Sequence, residues 1–272
     1  AVQAWCDDAV GRAIGLLEAL LRDHPRDLAS LKLAQALHFD LGDARSMLRL
    51  ALGSQAAACD VPQLHGMTAF GHEQCHAMRQ AEQAARRAIA VQEKEPWAHH
   101  ALAHVMLTEG RIAEGRAFMD EVSRLWVGLN SFMETHNWWH QALFALEQGD
   151  DAAVLALYDD HVWGVCKEYS QDQIGAVSLL ARLELAGVDV GDRWQDVAEH
   201  LAPRTHDQVQ PFLDMHYLYG LARACRPEAD ELLRLSVEEE LDGGHTADDD
   251  RVCVFDRCLE RLEADSTTFA GD

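Results

Sequence analysis

The sequence has no run of about 18 apolar residues, so no stretch of it reads as a membrane-crossing helix. Its seven cysteines, Cys6, Cys59, Cys75, Cys166, Cys225, Cys253 and Cys258, are odd in number and include no CxxC pair. A zinc-ribbon or dithiol redox motif is thereby excluded, and free thiols in a reducing cytoplasm are expected. Proline and glycine are sparse, 6 and 18 residues of 272, which confines expected disorder to short stretches. Positive charge is scarce too: 23 Lys and Arg face 46 Asp and Glu, a formal net charge of −23. A field of that sign repels phosphate backbones and anionic lipid, so no nucleic-acid or membrane role is expected. The opening AVQAWCDDAVGRAIGLLEALL is amphipathic and carries acids early, unlike a basic-then-apolar leader. There is no GxSxG elbow and no glycine-rich phosphate loop. The two-residue alternation of strands is also missing.

What is present is helical spacing almost throughout. In 28–41, Leu28, Leu31, Ala34, Leu37 and Leu41 recur at the three-or-four step of one helix face. About a dozen helices of 10–18 residues are expected. Gly42, Gly110, Gly149 and Gly187 each follow one such helix and precede another, as glycine does just past a helix end. The first two lie 68 residues apart, two periods of 34, with a degenerate turn due at Cys75-His76. A 34-residue period with two helices per unit is the tetratricopeptide pattern. Small residues fall where paired helices would cross: Ala34, Ala69, Ala103 and Ala142. Pro25, Pro62, Pro96 and Pro211 fall at or beside unit boundaries. The expected fold is all-α: a right-handed superhelix of five to seven antiparallel helix pairs, a tetratricopeptide-like α-solenoid over 1–244. Residues 245–272 are expected to form a C-terminal capping helix or tail. The acidic run 237–250 reads as a solvated linker before a last helix, 251–263.

Fifteen histidines are many for this length, and eight fall between 65 and 140. Four form matched pairs, His100 with His104 and His136 with His140. Residues four apart share a helix face, about 5–6 Å apart. Both pairs fall on first helices of adjacent units, which would face a common groove. Trp97 shares the first pair's face, and Trp138 or Trp139 should reach the groove from the second. Glu73 is phased toward the same side, and Asp214 and His216 open a later first helix. His65, His72 and His76 follow a similar helix, with His76 at its turn.

Three chemistries fit. The imidazoles and Glu73 are nitrogen and oxygen ligands suited to zinc or iron, with His100, His104, His136 and His140 as the metal set. Alternatively His100 or His136 is a general base, with Glu73 or Asp214 orienting it. Finally, the face is a binding or packing surface, in which tryptophans give walls and histidines give directional hydrogen bonds.

The stretches LKLAQALHFDLGDARSM, GMTAFGHEQ, WAHHALAHVMLTEGRIAEG, HNWWHQALFALEQGDDAAVLALYD and LELAGVDVGDRW together resemble the tetratricopeptide repeat protein 38 family. The resemblance covers roughly residues 1–235. It implies an atypical tetratricopeptide scaffold without a settled activity. The family pattern falls on Glu73, Trp97, His100, His104, His136, Asn137, Trp139 and His140, and on Asp214 and His216. This chain departs from it at Leu107, Gly175 and Ala181, and in the short segment 53–62. The expectation is an enclosed pocket lined by these Trp, His and Glu side chains, taking a small molecule or peptide. An acid–base or metal-assisted enzyme is the alternative, and a protein partner a third possibility.

Overall fold

The computed structural model describes residues 1–242, with side chains described through 236. The described residues are helical, with no strand among them. The helices are α1 (Val2–Cys6), α2 (Val10–Asp23), α3 (Leu28–Asp40), α4 (Ala44–Gly53), α5 (Gln55–Ala58), α6 (Pro62–Gln74), α7 (Met78–Val91) and α8 (Pro96–Thr108). Then come α9 (Ile112–Val122), α10 (Ser131–Glu147), α11 (Asp151–Leu157), α12 (Ser170–Leu185), α13 (Arg193–Leu201), α14 (Pro211–Arg223) and α15 (Glu228–Asp242). Two compact units divide them, one ending at Gly191 and one beginning at Asp192. No described helix is long and apolar enough to cross a membrane.

The turns are built on one device. Gly42, Gly110, Gly149 and Gly187 adopt φ between +68° and +81°, the left-handed conformation that glycine enters without a Cβ penalty. The next residue's N–H then donates five residues back into the helix: Asp43 to His38 O at 2.8 Å, Arg111 to Met106 O at 2.8 Å, Asp150 to Ala145 O at 3.0 Å. This is the Schellman closure, which satisfies carbonyls that the helix end leaves open. His76 fills the same role with φ +56°, at the degenerate turn the spacing predicts. Cys225 does so too, at φ +53°, a turn that reading for glycine misses. Asp43 and Asp150 act twice: each side chain also accepts from the next helix, from Ser46 N–H at 3.0 Å and Ala153 N–H at 3.3 Å. One short segment thus ends a helix, reverses the chain and starts another. Pro62, Pro96 and Pro211 occupy first turns, where no N–H is required.

In the first unit, α3/α4, α6/α7, α8/α9 and α10/α11 are antiparallel pairs, and first helices pack on first helices. This is a tetratricopeptide-like array. Helix α8 is buried around most of its circumference, because α6, α7, α9 and α10 all lie against it. Helix α7 buries one alanine stripe, Ala81, Ala84, Ala85 and Ala88, and leaves its charged side outward. Ala34, Ala69, Ala103 and Ala142 are each fully buried, as expected of crossing points. In the second unit, α13, α14 and α15 bury Trp194, Val197, Leu201, Tyr217, Leu221 and Leu232.

Of the acidic run 237–250 expected as a linker, the residues up to Asp242 belong to helix α15, whose glutamates are good helix formers, and the rest lie outside the described residues. The expected helix 251–263, and the cap or tail 245–272, lie outside the described residues.

Charge pins the second helices together. Arg111 follows the Gly110 turn and donates to Glu82 on α7 at 2.8 and 3.1 Å, to Glu109 at 2.9 Å and to Glu114 at 2.7 and 2.9 Å. The Arg111 guanidinium foremost, aided by Arg86, holds the Glu82 carboxyl down at about 2. We expect Arg111→Ala to destabilise the fold by about 1–2 kcal/mol at pH 6, since three carboxylates lose their shared cation. The stabilisation of Glu82 is complete above its ordinary pKa of 4.5 and drains as pH falls toward 2. Urea midpoints of parent and variant should therefore converge between pH 4.5 and 2. An unchanged gap would assign the loss to packing instead.

Candidate functional site

Five first helices of the first unit, α3, α6, α8, α10 and α12, present one face. Helix α8 contributes Trp97, His100 and His104, and α10 contributes Phe132, His136, Trp139 and His140, each set at three-or-four spacing. The two helices pack side by side, so the pairs interleave. His100 Nε2 lies 3.0 Å from His136 Nε2, and His104 Nε2 lies 3.1 Å from His140 Nε2. His140 Nε2 and His136 Nε2 are 3.3 Å apart. One ring nitrogen from each falls within 4.8 Å of all the others. His100 and His140 are buried, while His136 and His104 are partly open.

Glu73, buried on α6, places Oε1 3.2 Å from His104 Nδ1. The carboxylate therefore serves His104, not His100 or His136, the two rings expected as bases. A carboxylate at Nδ1 fixes the tautomer that leaves the Nε2 lone pair of His104 facing the cluster. Burial, then repulsion from the neighbouring rings, pushes the pKa of His100 and His140 well below the usual imidazole value. Burial takes His136 down to about 3. Neutral imidazoles are the form that ligates metals.

The rings touch, so no enclosed cavity lies between them; the expected histidine-lined pocket is a packed cluster. A recess of about 500 Å³ does open in the first unit, but among Leu107, Ile112, Leu143, Leu146, Arg182 and Leu185.

The outer face of the cluster is aromatic. Ring centroids follow one another from Phe39 to Phe70 at 5.7 Å, to Trp97 at 6.3 Å and to Phe132 at 6.4 Å. The strip continues to His136 at 4.9 Å and to Trp139 at 5.6 Å, stacked within 7°. Two cations stand against it. Lys32 Nζ sits 3.2 Å from the Trp97 ring centroid, and the Arg182 guanidinium 5.2 Å from that of Trp139. Burial lowers the Lys32 pKa to about 8. No hydrogen bond or ion pair holds its ammonium among the described residues; the buried Glu95, capping α8, acts on it only through space. Arg182 donates to Ser178 and forms no ion pair among the described residues.

Other expected residues fall elsewhere. Trp138 turns away from Trp139, packing edge-on to Trp126 and stacking on His161. Asn137 is fully buried, and neither amide atom has a hydrogen-bond partner among the described residues. His65 Nε2–H donates to Cys59 O at 2.9 Å. His76 is exposed at its turn. Asp214 and His216 lie on α14, in the second unit; Asp214 is buried and His216 Nδ1 donates to Phe212 O at 2.7 Å. Lys32, Phe70, Phe132 and Arg182 were not anticipated. Lys32 carries a legible signal, a lone cation between apolar Leu31 and Leu33 of α3. Asp172 was missed as well: it is buried on α12 and accepts from the Ser131 and Thr135 hydroxyls of α10. Burial raises its pKa.

No family model matches the chain. The solved structure of Naa15/Naa10 bound to HypK-THB is 13% identical at a TM-score of 0.36, over 99% of this chain and 41% of that one. The crystal structure of the APC/C hetero-tetramer Cut9-Hcn1 is 11% identical at a TM-score of 0.37, over 84% of this chain and 54% of that one. The chain spans 41% to 54% of these longer chains, and at such scores the likeness carries no argument about site or partner.

Proposed function

We propose that the chain is a binding module, and that the aromatic strip of its first unit takes an extended, acidic segment of a protein partner. The observation that carries this reading is a row of rings crossing α3, α6, α8 and α10, with Lys32 of α3 and Arg182 of α12 set against it, neither of which has an ion-pair partner among the described residues. What sets these two cations apart, on a chain of net charge −23, is that each stands over a tryptophan of the strip. Carboxylates of the ligand would meet Lys32 and Arg182, and its apolar side chains would lie on Trp97, Phe132 and Trp139. Aromatic walls with a few convergent polar groups suit such recognition. The motif resemblance to the tetratricopeptide repeat protein 38 family is compatible with this use, as is a small carboxylate ligand on the same strip.

Tryptophan fluorescence titrations with acidic, neutral and basic decapeptides test the reading. Acidic aromatic peptides should bind, and Lys32→Ala should weaken them about 10–100-fold, the loss of one charge-assisted contact. Lys94→Ala, away from the strip, should leave binding unchanged. Failure of every acidic peptide to bind, or equal binding by Lys32→Ala, overturns the proposal.

A further inference from the structure

The four imidazoles themselves do something the peptide reading does not need. Their Nε2 atoms point at one another, and among the described residues they have no other partners. His99, next in sequence, shows the contrast. Its Nε2 donates to Glu93 O at 2.8 Å and its Nδ1 accepts from Trp126 Nε1 at 3.2 Å. That is how a structural histidine is satisfied in this fold, by groups other than imidazole. The cluster instead gathers four acceptor-capable nitrogens within 4.8 Å.

We propose that His100, His104, His136 and His140 form a four-coordinate site for a divalent transition ion of the zinc class, bound through their Nε2 atoms. The distances carry the argument. A tetrahedral zinc with arms of about 2.0–2.1 Å has nitrogen–nitrogen edges of about 3.3–3.4 Å. Three of the six edges here are 3.0, 3.1 and 3.3 Å, and all four nitrogens lie within 4.8 Å of one another, so closing on an ion needs ring rotations that move a nitrogen by at most about 1.5 Å. All-nitrogen ligation of borderline softness suits zinc and its first-row neighbours, not calcium or magnesium. Glu73 on His104 Nδ1 is the carboxylate–histidine–metal arrangement, which orients the ring.

The site draws two ligands from α8 and two from α10, each pair from consecutive turns. Four protein ligands complete a tetrahedral shell, so the ion would be structural. It would clamp the two helices that carry Trp97, on α8, and Phe132 and Trp139, on α10, three of the rings of the strip. The inference stands on different atoms from the peptide reading, and either can fail alone.

The full chain, purified without chelator, should carry stoichiometric zinc by elemental analysis. The stripped protein should take up cobalt(II) with the intense visible bands of tetrahedral nitrogen ligation. Competition against a chromophoric zinc chelator should show Glu73→Gln weakened about 10–100-fold, the usual loss for a partner that orients a ligand. His140→Gln, with its far-UV circular dichroism unchanged, should lose the cobalt bands altogether. Two results overturn the proposal. One is stripped parent protein that competes for neither zinc nor cobalt. The other is a variant lacking all four histidines that holds zinc as tightly as the parent, which would place the ion on surface acids.

Discussion

His99→Ala lowers stability by about 3–5 kcal/mol, the largest single-residue effect expected in this chain. His99 is fully buried on α8, on the side of the helix away from the cluster. Its neutral ring bridges two segments: Nε2–H donates to Glu93 O in the loop before α8, and Nδ1 accepts from Trp126 Nε1–H after α9. Only the neutral ring can play both parts, and burial pulls its pKa down to about 4. Truncation leaves the indole N–H of a buried Trp126 without an acceptor, which costs about 1–3 kcal/mol. It also opens a ring-sized void against Phe118, whose centroid lies 5.9 Å away, and large-to-small changes of that kind add a few kcal/mol. Thermal unfolding followed by circular dichroism should show a fall of roughly 10 °C. His99→Gln, which can donate and accept, should recover part of the loss. A variant that melts with the parent would remove His99 from the framework.

Gly115→Ala is the second large effect, and its sign is decided by two competing terms. Gly115 lies within α9, where alanine is the better helix former by about 1 kcal/mol. Yet a Cβ there would sit 2.1 Å from Phe144 Cε1 and 2.3 Å from its Cζ. Phe144 is fully buried on α10 and cannot retreat without displacing the core. Overpacking of this severity costs about 3 kcal/mol, so the net change should be a destabilisation of about 2 kcal/mol. The close approach predicts strong coupling. In the Gly115→Ala, Phe144→Leu double variant, urea unfolding should give a total loss well below the sum of the single losses. Strict additivity would mean that the contact between α9 and α10 is not what requires glycine.

Much of the framework is legible in the chain itself. The glycines at 42, 110, 149 and 187 mark reversals because their backbone must adopt positive φ, a local requirement. The apolar three-or-four step and the first-turn prolines are local in the same sense. The pairing of His100 with His104 and of His136 with His140 on one helix face follows from helical pitch alone. What one chain segment cannot state is distance across segments. Trp138 and Trp139 are adjacent in sequence, and only the packing of α10 against its neighbours sends one inward and the other onto the strip. The same holds for Glu73, whose partner among several nearby imidazoles depends on a register of one turn between α6 and α8.

Helical periodicity therefore determined the element types, the turn positions and the residues that share a face. Tertiary structure decided that the four imidazoles touch instead of lining a hollow, that His99 bridges while His100 converges, and that Lys32 stands over Trp97. The physical reason is range. Backbone conformation and helix pitch act over four or five residues, whereas nitrogen–nitrogen separations of about 3 Å depend on how two whole helices seat against each other.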